Sequence, residues 1–232
     1  MKFFKVSVLS ILTAGMLATG CSSMNNTGKG ALVGGGGGGV LGAAIGGIIG
    51  GGKGAAIGAA VGGSVGAGAG ALIGRRMDKQ AAELQKELAD KAKVEQVKDS
   101  NGLDAIKVTF ESGILFPTNG TSLSATAQQE LSQFAQSLIN NPGTDVRIYG
   151  FTANTGSMAV NQKVASGRAA SVLSYLANSG VAPTRLSAQG IPMADYVASN
   201  ETAAGRAQNR RVEIYITADK QMIQQAEAGT LS

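Results

Sequence analysis

Cys21 is the only cysteine in this chain of 232 residues, and histidine is absent. The lack of histidine removes the commonest general base, most zinc ligand sets and every histidine-dependent triad. A single thiol rules out an intrachain disulfide. Carboxylate-pair or serine–lysine chemistry stays formally open, but no motif carries it. The expectation is a protein that is not an enzyme, with no metal and no cofactor. The formal charge of +5 raises nucleic acid as a partner. Lys2 and Lys5 account for two of those charges, and from Lys91 onward 12 basic residues face 11 acidic ones. A phosphate-binding face needs clustered Lys and Arg, and no such cluster exists, so nucleic acid is not expected.

The elements that must position Cys21 lie before it. Residues 1–20 read as a signal peptide: Lys2 and Lys5 form a charged start, Val6 to Leu17 are mostly apolar, and Ala18-Thr19-Gly20 are small. The junction resembles a bacterial lipobox, although that motif favours Leu three residues before the cysteine and Leu17 here lies four before it. The resemblance implies cleavage before Cys21 and thioether lipidation on it, with 21–29 as a lipidated linker. Several acyl chains at one terminus anchor stably where a single chain does not. Ser22 and Ser23 follow, with no aspartate of the kind that retains such proteins at the inner membrane. The expected location is therefore the cell outer membrane.

Residues 30–74 keep a strict register, with glycine at 30, 34, 38 and every fourth position on to 74. A disordered linker has no reason to keep such a period. On a helix these residues share one face and form overlapping GxxxG motifs that let backbones approach closely. Glycine disfavours a helix in water by roughly 1 kcal/mol per residue relative to alanine, so another cause is needed. A membrane supplies one, because unpaired backbone groups in hydrocarbon cost several kcal/mol each. Lys53 is the only charge between Lys29 and Arg75 and sits in a glycine turn. The segment then predicts a hairpin of two uncharged helices of 23 and 21 residues, each of membrane-crossing length, the second stopped by Arg75 and Arg76. It resembles glycine-zipper hairpins, and close helix packing makes a homo-oligomer one expected state. A flexible spacer and a soluble zipper assembly are the competing readings.

Residues 75–92 carry Met77, Ala81, Leu84 and Leu88 at helical spacing among charged residues. This predicts an amphipathic stalk helix. The span 93–218 then alternates strand and helix patterns. A hairpin turns at Ser100-Asn101-Gly102. Ser124 and Ser157 are placed to cap helices. The first of these carries Leu131, Phe134, Leu138 and Ile139, and the second Val160, Val164, Val172, Leu173 and Leu176. Short strands fall at 146–150 and 185–189, a loop runs to Asn209, and 211–216 alternates as a last strand. The pattern predicts an α/β (α+β) sandwich with helices packed on one mixed sheet. Residues 219–232 form a polar tail, expected to be a short helix or disordered.

Local strings in this domain resemble the OmpA-like C-terminal domain. A family pattern of Gly-His-Thr-Asp, Asn, Leu-Ser and Arg-Ala aligns with Gly150-Phe151-Thr152-Ala153, Asn161, Val164-Ala165 and Arg168-Ala169. The closing pattern aligns with Asn200, Gly205-Arg206 and Asn209-Arg210-Arg211-Val212-Glu213. The resemblance implies a periplasmic domain that grips the diaminopimelate-containing stem peptide of peptidoglycan. Such a ligand presents a carboxylate beside an ammonium. An arginine suits the first, in bidentate geometry, and an acid the second. The implied site is Thr152, Ala153, Asn154, Asn161, Arg168 and Arg206. Arg168 takes the place of the family arginine, but Ala153 stands where the family has aspartate. Asn154 and Thr155 offer neutral acceptors in its stead. Arg210 and Arg211 are expected to be structural ion pairs. The implied function is a non-covalent tether between outer membrane and cell wall. The alternative is an envelope scaffold whose wall site is degenerate.

Overall fold

The computed structural model describes residues 65–117 and 120–231. The local signals that fold the domain are hydrogen-bonded as their residue types dictate. At the hairpin, Asp99 Oδ1 accepts the N–H of Asn101 at 2.8 Å and of Leu103 at 2.9 Å. Gly102 supplies the left-handed residue the turn requires, with φ 74°. This turn joins β1 (Lys93–Lys98) to β2 (Asp104–Glu111). One helical turn, α2 (Ser112–Leu115), follows; the long helix that precedes β1, α1, is taken up below. Ser124 Oγ accepts from Ala127 N to start α3 (Ala125–Asn140). Ser157 Oγ accepts from Val160 N to start α4 (Met158–Asn178). Between these helices runs β3 (Thr144–Phe151). A 3-10 turn over Pro183–Arg185 leads into β4 (Leu186–Ile191). Thr202 caps α5 (Ala203–Asn209), a helix within a stretch expected to be loop. It is followed by β5 (Arg211–Ala218). Asp219 caps α6 (Lys220–Glu227), so the tail opens as a helix.

The strands form one sheet in the order β1-β2-β5-β3-β4. β3 and β4 are parallel, and every other pair is antiparallel. One face carries Ile106, Val108, Phe110, Val146, Ile148, Val212, Ile214 and Ile216, all fully buried beneath the helices. The fold is the α/β sandwich with helices on one face of a mixed sheet. β3 and β4 press directly on α4. A Cβ at Gly150 would collide with Ala165 O, and one at Gly190 with Ser166 N. The glycines thus set helix against strand backbone and fix the height of α4 above the sheet. Ile139 and Val160 do not share the buried faces of their helices; they are 37% and 59% exposed.

The stalk reading requires correction. Helix α1 runs from Ala67 to Glu87, through Gly70 and Gly74 and past Arg75 and Arg76, which do not stop it. Its Ile73, Met77, Ala81, Leu84 and the following Leu88 are 0–1% exposed and belong to the main core. The apolar stripe thus packs on the domain instead of leading into it. It contacts β1, β2, α3 and α6. Gly74 permits this, since a Cβ there would stand 2.9 Å from Asp104 Oδ2. The last glycines of the fourfold register therefore serve the globular domain. Residues 1–64, with Cys21, the signal peptide and most of the expected glycine hairpin, lie outside the described residues.

Candidate functional site

Arg168 is the centre of the candidate site. Because Gly150 lies against Ala165 and Ala169 N, the helix places Arg168 near the carboxyl end of β3. The chain after α2 closes over it. Phe116 puts its ring 5.3 Å from the guanidinium carbon, and Gly120 O accepts from Nε at 3.0 Å. A Cβ at Gly167 would come within 2.9 Å of Thr121 Cγ2, so this segment rides tightly on α4. Arg168 is left 4% exposed. Its Nη1 has no hydrogen-bond partner among the described residues. Burial, and then the charge of Arg210, hold its pKa below the ordinary arginine value. An arginine so placed still remains protonated.

The register explains the second cation. Val212 pairs with Gly150, and Val212 and Ile214 face the helices. Arg210 lies just before β5; its carbonyl accepts from Ser112 N at 2.9 Å, and its charge bears on Arg168. Arg211 has the parity opposite to Val212 and lies on the other face. There its guanidinium carbon sits 3.8 Å from the Phe151 ring centroid. Its Nε donates to Glu213 Oε1 at 2.7 Å and its Nη2 to Asp195 O at 2.9 Å. Lys107 Nζ lies 3.2 Å from the same Glu213 oxygen, and Tyr215 Oη donates to Oε2 at 2.8 Å. Burial alone would raise the Glu213 carboxyl, but Arg211, Lys107 and Tyr215 hold it below its usual value. Burial, then Glu213, push the Tyr215 phenol up, and burial raises Tyr149 to about 12. Arg211 is thus a structural ion pair as expected, whereas Arg210 is not paired among the described residues.

The other expected site residues mostly shape the surrounding loops. Thr152 is buried, and its Oγ1 accepts from Met193 N at 3.1 Å, with Met193 held at φ 50°. Ala153 is 1% exposed. Asn154 is exposed, and its N–H donates to Asn200 Oδ1 at 3.4 Å. Asn161 Nδ2 donates to Thr155 O at 2.8 Å and Ser157 O at 3.0 Å, tying the loop to the first turn of α4. Arg206 Nη1 turns back onto Asn200 O and Glu201 O. Sequence reasoning did not find Phe116 and Gly120, which lie in a stretch without periodicity. It placed Asn209 in the closing pattern but not its role: the amide bonds Val197, Ala198 and Asn200 and holds the long loop together. A groove of about 670 Å³ opens on the far face between β1, β2 and β5. Its acidic and basic lining residues are equal in number, and Arg168 is not among them. Among the described residues no cluster of Cys, Asp or Glu is placed to hold a metal ion.

The site is therefore a helix-backed mixed sheet carrying a buried arginine with one free Nη1 among the described residues. Residues 115–210 match the OmpA family and residues 1–78 the YMGG-like Gly-zipper. The chain is 35% identical over 141 residues to "Probable lipoprotein YiaD" of Escherichia coli (strain K12), covering 61% of this chain and 63% of that protein. It is 38% identical over 112 residues to "Peptidoglycan-binding protein ArfA" of Mycobacterium bovis, covering 48% of this chain and 34% of that protein. The match therefore spans less than two thirds of either relative. Among solved structures, the cell wall anchor of the T6SS from Pseudomonas aeruginosa superposes with a TM-score of 0.51 at 31% identity, over 62% of this chain and 98% of that one. A MotB-like protein from Desulfovibrio vulgaris gives 0.55 at 25% identity, over 64% and 94%.

Proposed function

We propose that this protein is an outer-membrane lipoprotein that tethers the envelope to peptidoglycan. Lipid on Cys21 holds the membrane end, and the globular domain in the periplasm holds the diaminopimelate-containing stem peptide without a covalent bond. The protein is a binding protein and not an enzyme, in keeping with relatives named as lipoproteins, outer-membrane proteins and a peptidoglycan-binding protein. The observation that carries the reading is Arg168: a guanidinium 4% exposed whose Nη1 has no partner among the described residues is costly to keep unless a ligand completes it. A stem-peptide carboxylate is the complement in charge and shape. Thr152 and Asn161 support it by fixing the loop above α4.

The test is co-sedimentation of the full chain with purified sacculi. Wild type is expected in the pellet, and Arg168→Ala is expected to lose about 100-fold in affinity, as for removal of one partner of a buried charge pair. A wild-type protein that stays in the supernatant would end the tether reading. The scaffold alternative draws on one observation, that Ala153 offers a buried methyl and no acceptor for an ammonium. It predicts no sacculus binding by wild type.

A further inference from the structure

Among the described residues two buried arginines lie against aromatic rings, and they differ in counter-charge. The guanidinium carbon of Arg211 is 3.8 Å from the Phe151 ring centroid, and its Nε has Glu213 Oε1 at 2.7 Å. The guanidinium carbon of Arg168 is 5.3 Å from the Phe116 ring centroid, and Arg168 enters no ion pair among the described residues. Its hydrogen bond among those residues runs from Nε to Gly120 O at 3.0 Å. Phe116 is 3% exposed and Arg168 4%, so the ring meets the cation with water largely excluded, where such a contact is strongest.

Local structure holds both neighbours of Arg168 in place. Phe116 ends α2, where its N–H donates to Ser112 O at 2.8 Å. Gly120 N donates to Pro117 O at 2.9 Å, and a Cβ at Gly120 would stand 3.2 Å from that oxygen. This tight turn fixes the carbonyl that receives Nε. A ring face and a carbonyl dipole stabilise a buried cation without cancelling its charge. A carboxylate in their place would cancel it and compete with any anionic ligand. With Nε engaged, the terminal nitrogens are left to a ligand, and Nη1 has no partner among the described residues. Building on the peptidoglycan reading, we propose that Phe116 is a positioning residue of the site: set against Arg168, it holds the guanidinium as a buried cation that is not neutralised, so that the stem-peptide carboxylate supplies the counter-charge. Affinity then depends on the electron density of the ring and not only on its bulk.

Calorimetry on the full chain in detergent tests this, with a soluble monomeric muropeptide that contains diaminopimelate as the probe. Wild type is compared with Phe116→Leu and with a protein carrying a trifluorinated phenylalanine at position 116. Fluorination nearly keeps the shape of the ring and drains its negative face. The fluorinated protein is expected to bind more weakly than wild type. Phe116→Leu is expected to bind about 10-fold more weakly than wild type, the scale of a desolvated cation–π contact. Wild-type affinity in the fluorinated protein would overturn the proposal and leave the tether intact, because a ring that only fills space is indifferent to fluorine. If Phe116→Leu loses its native circular dichroism, the fluorinated protein alone decides. Failure of wild type to bind the muropeptide would remove the tether reading and the role of Phe116 with it.

Discussion

Glu213 shows how a single carboxylate can tie the open face of the sheet together. It is 2% exposed and meets Arg211, Lys107 and Tyr215. Replacing it with glutamine would leave Arg211 buried without its counter-charge, a loss of about 3–5 kcal/mol by the measure of broken buried pairs. Because its folded pKa lies below the unfolded one, its contribution is complete above the unfolded value of about 4.3 and drains away as pH falls through the folded value. Urea unfolding of wild type and Glu213→Gln at pH 7 and pH 3 checks both points: the variant should be less stable at pH 7, and the gap should narrow at pH 3. At this scale the sequence was partly legible. Ser124, Ser157 and Gly102 act locally, through bonds to residues a few positions away, and their roles could be read directly. Arg206 was expected in the site and Arg210 and Arg211 in ion pairs; Arg211 alone of the last two is ion-paired among the described residues, and Arg206 ties the loop at Asn200 and Glu201, because the folded chain decides which partners come near.

Helix α1 is the element where reading and structure part most clearly. Its apolar stripe was visible as Met77, Ala81, Leu84 and Leu88, but its partners were not. Its start was hidden because Gly70 and Gly74 continue a register that looks membrane-directed, while Ala69 and Ile73 pack in the domain core. Helix α5 was hidden for a different reason: it is 7 residues long, contains glycine, and is announced only by its cap, Thr202. Leu84→Ala in the full chain is expected to cost about 2–5 kcal/mol, as for a leucine deleted from a filled core. A urea midpoint unchanged from wild type would show that α1 docks loosely. Gly150→Ala is expected to fail to fold, as read by circular dichroism, since the new methyl meets the α4 backbone at Ala165 and Ala169.

At the scale of the whole molecule, the glycine register of the sequence overlaps the folded domain. Residues 67–74 belong to α1. The second arm expected for the hairpin is then left with 54–66, short of the about 20 residues a bilayer crossing needs. A crossing by that arm alone would require α1 to leave the core. Two measurements address this scale. Radiolabelled palmitate should enter the wild-type protein in cells and be absent from Cys21→Ser. Gly62→Leu should shrink the oligomer seen in detergent if the glycine faces pack on one another, and an unchanged size would remove that packing.

The docking of α1 also sets how the domain answers to force. Tension arriving from the N-terminal side enters along the axis of a 21-residue helix laid against β1, β2, α3 and α6. If the protein is the tether proposed above, the helix that looked like a passive spacer is the handle through which load reaches the core.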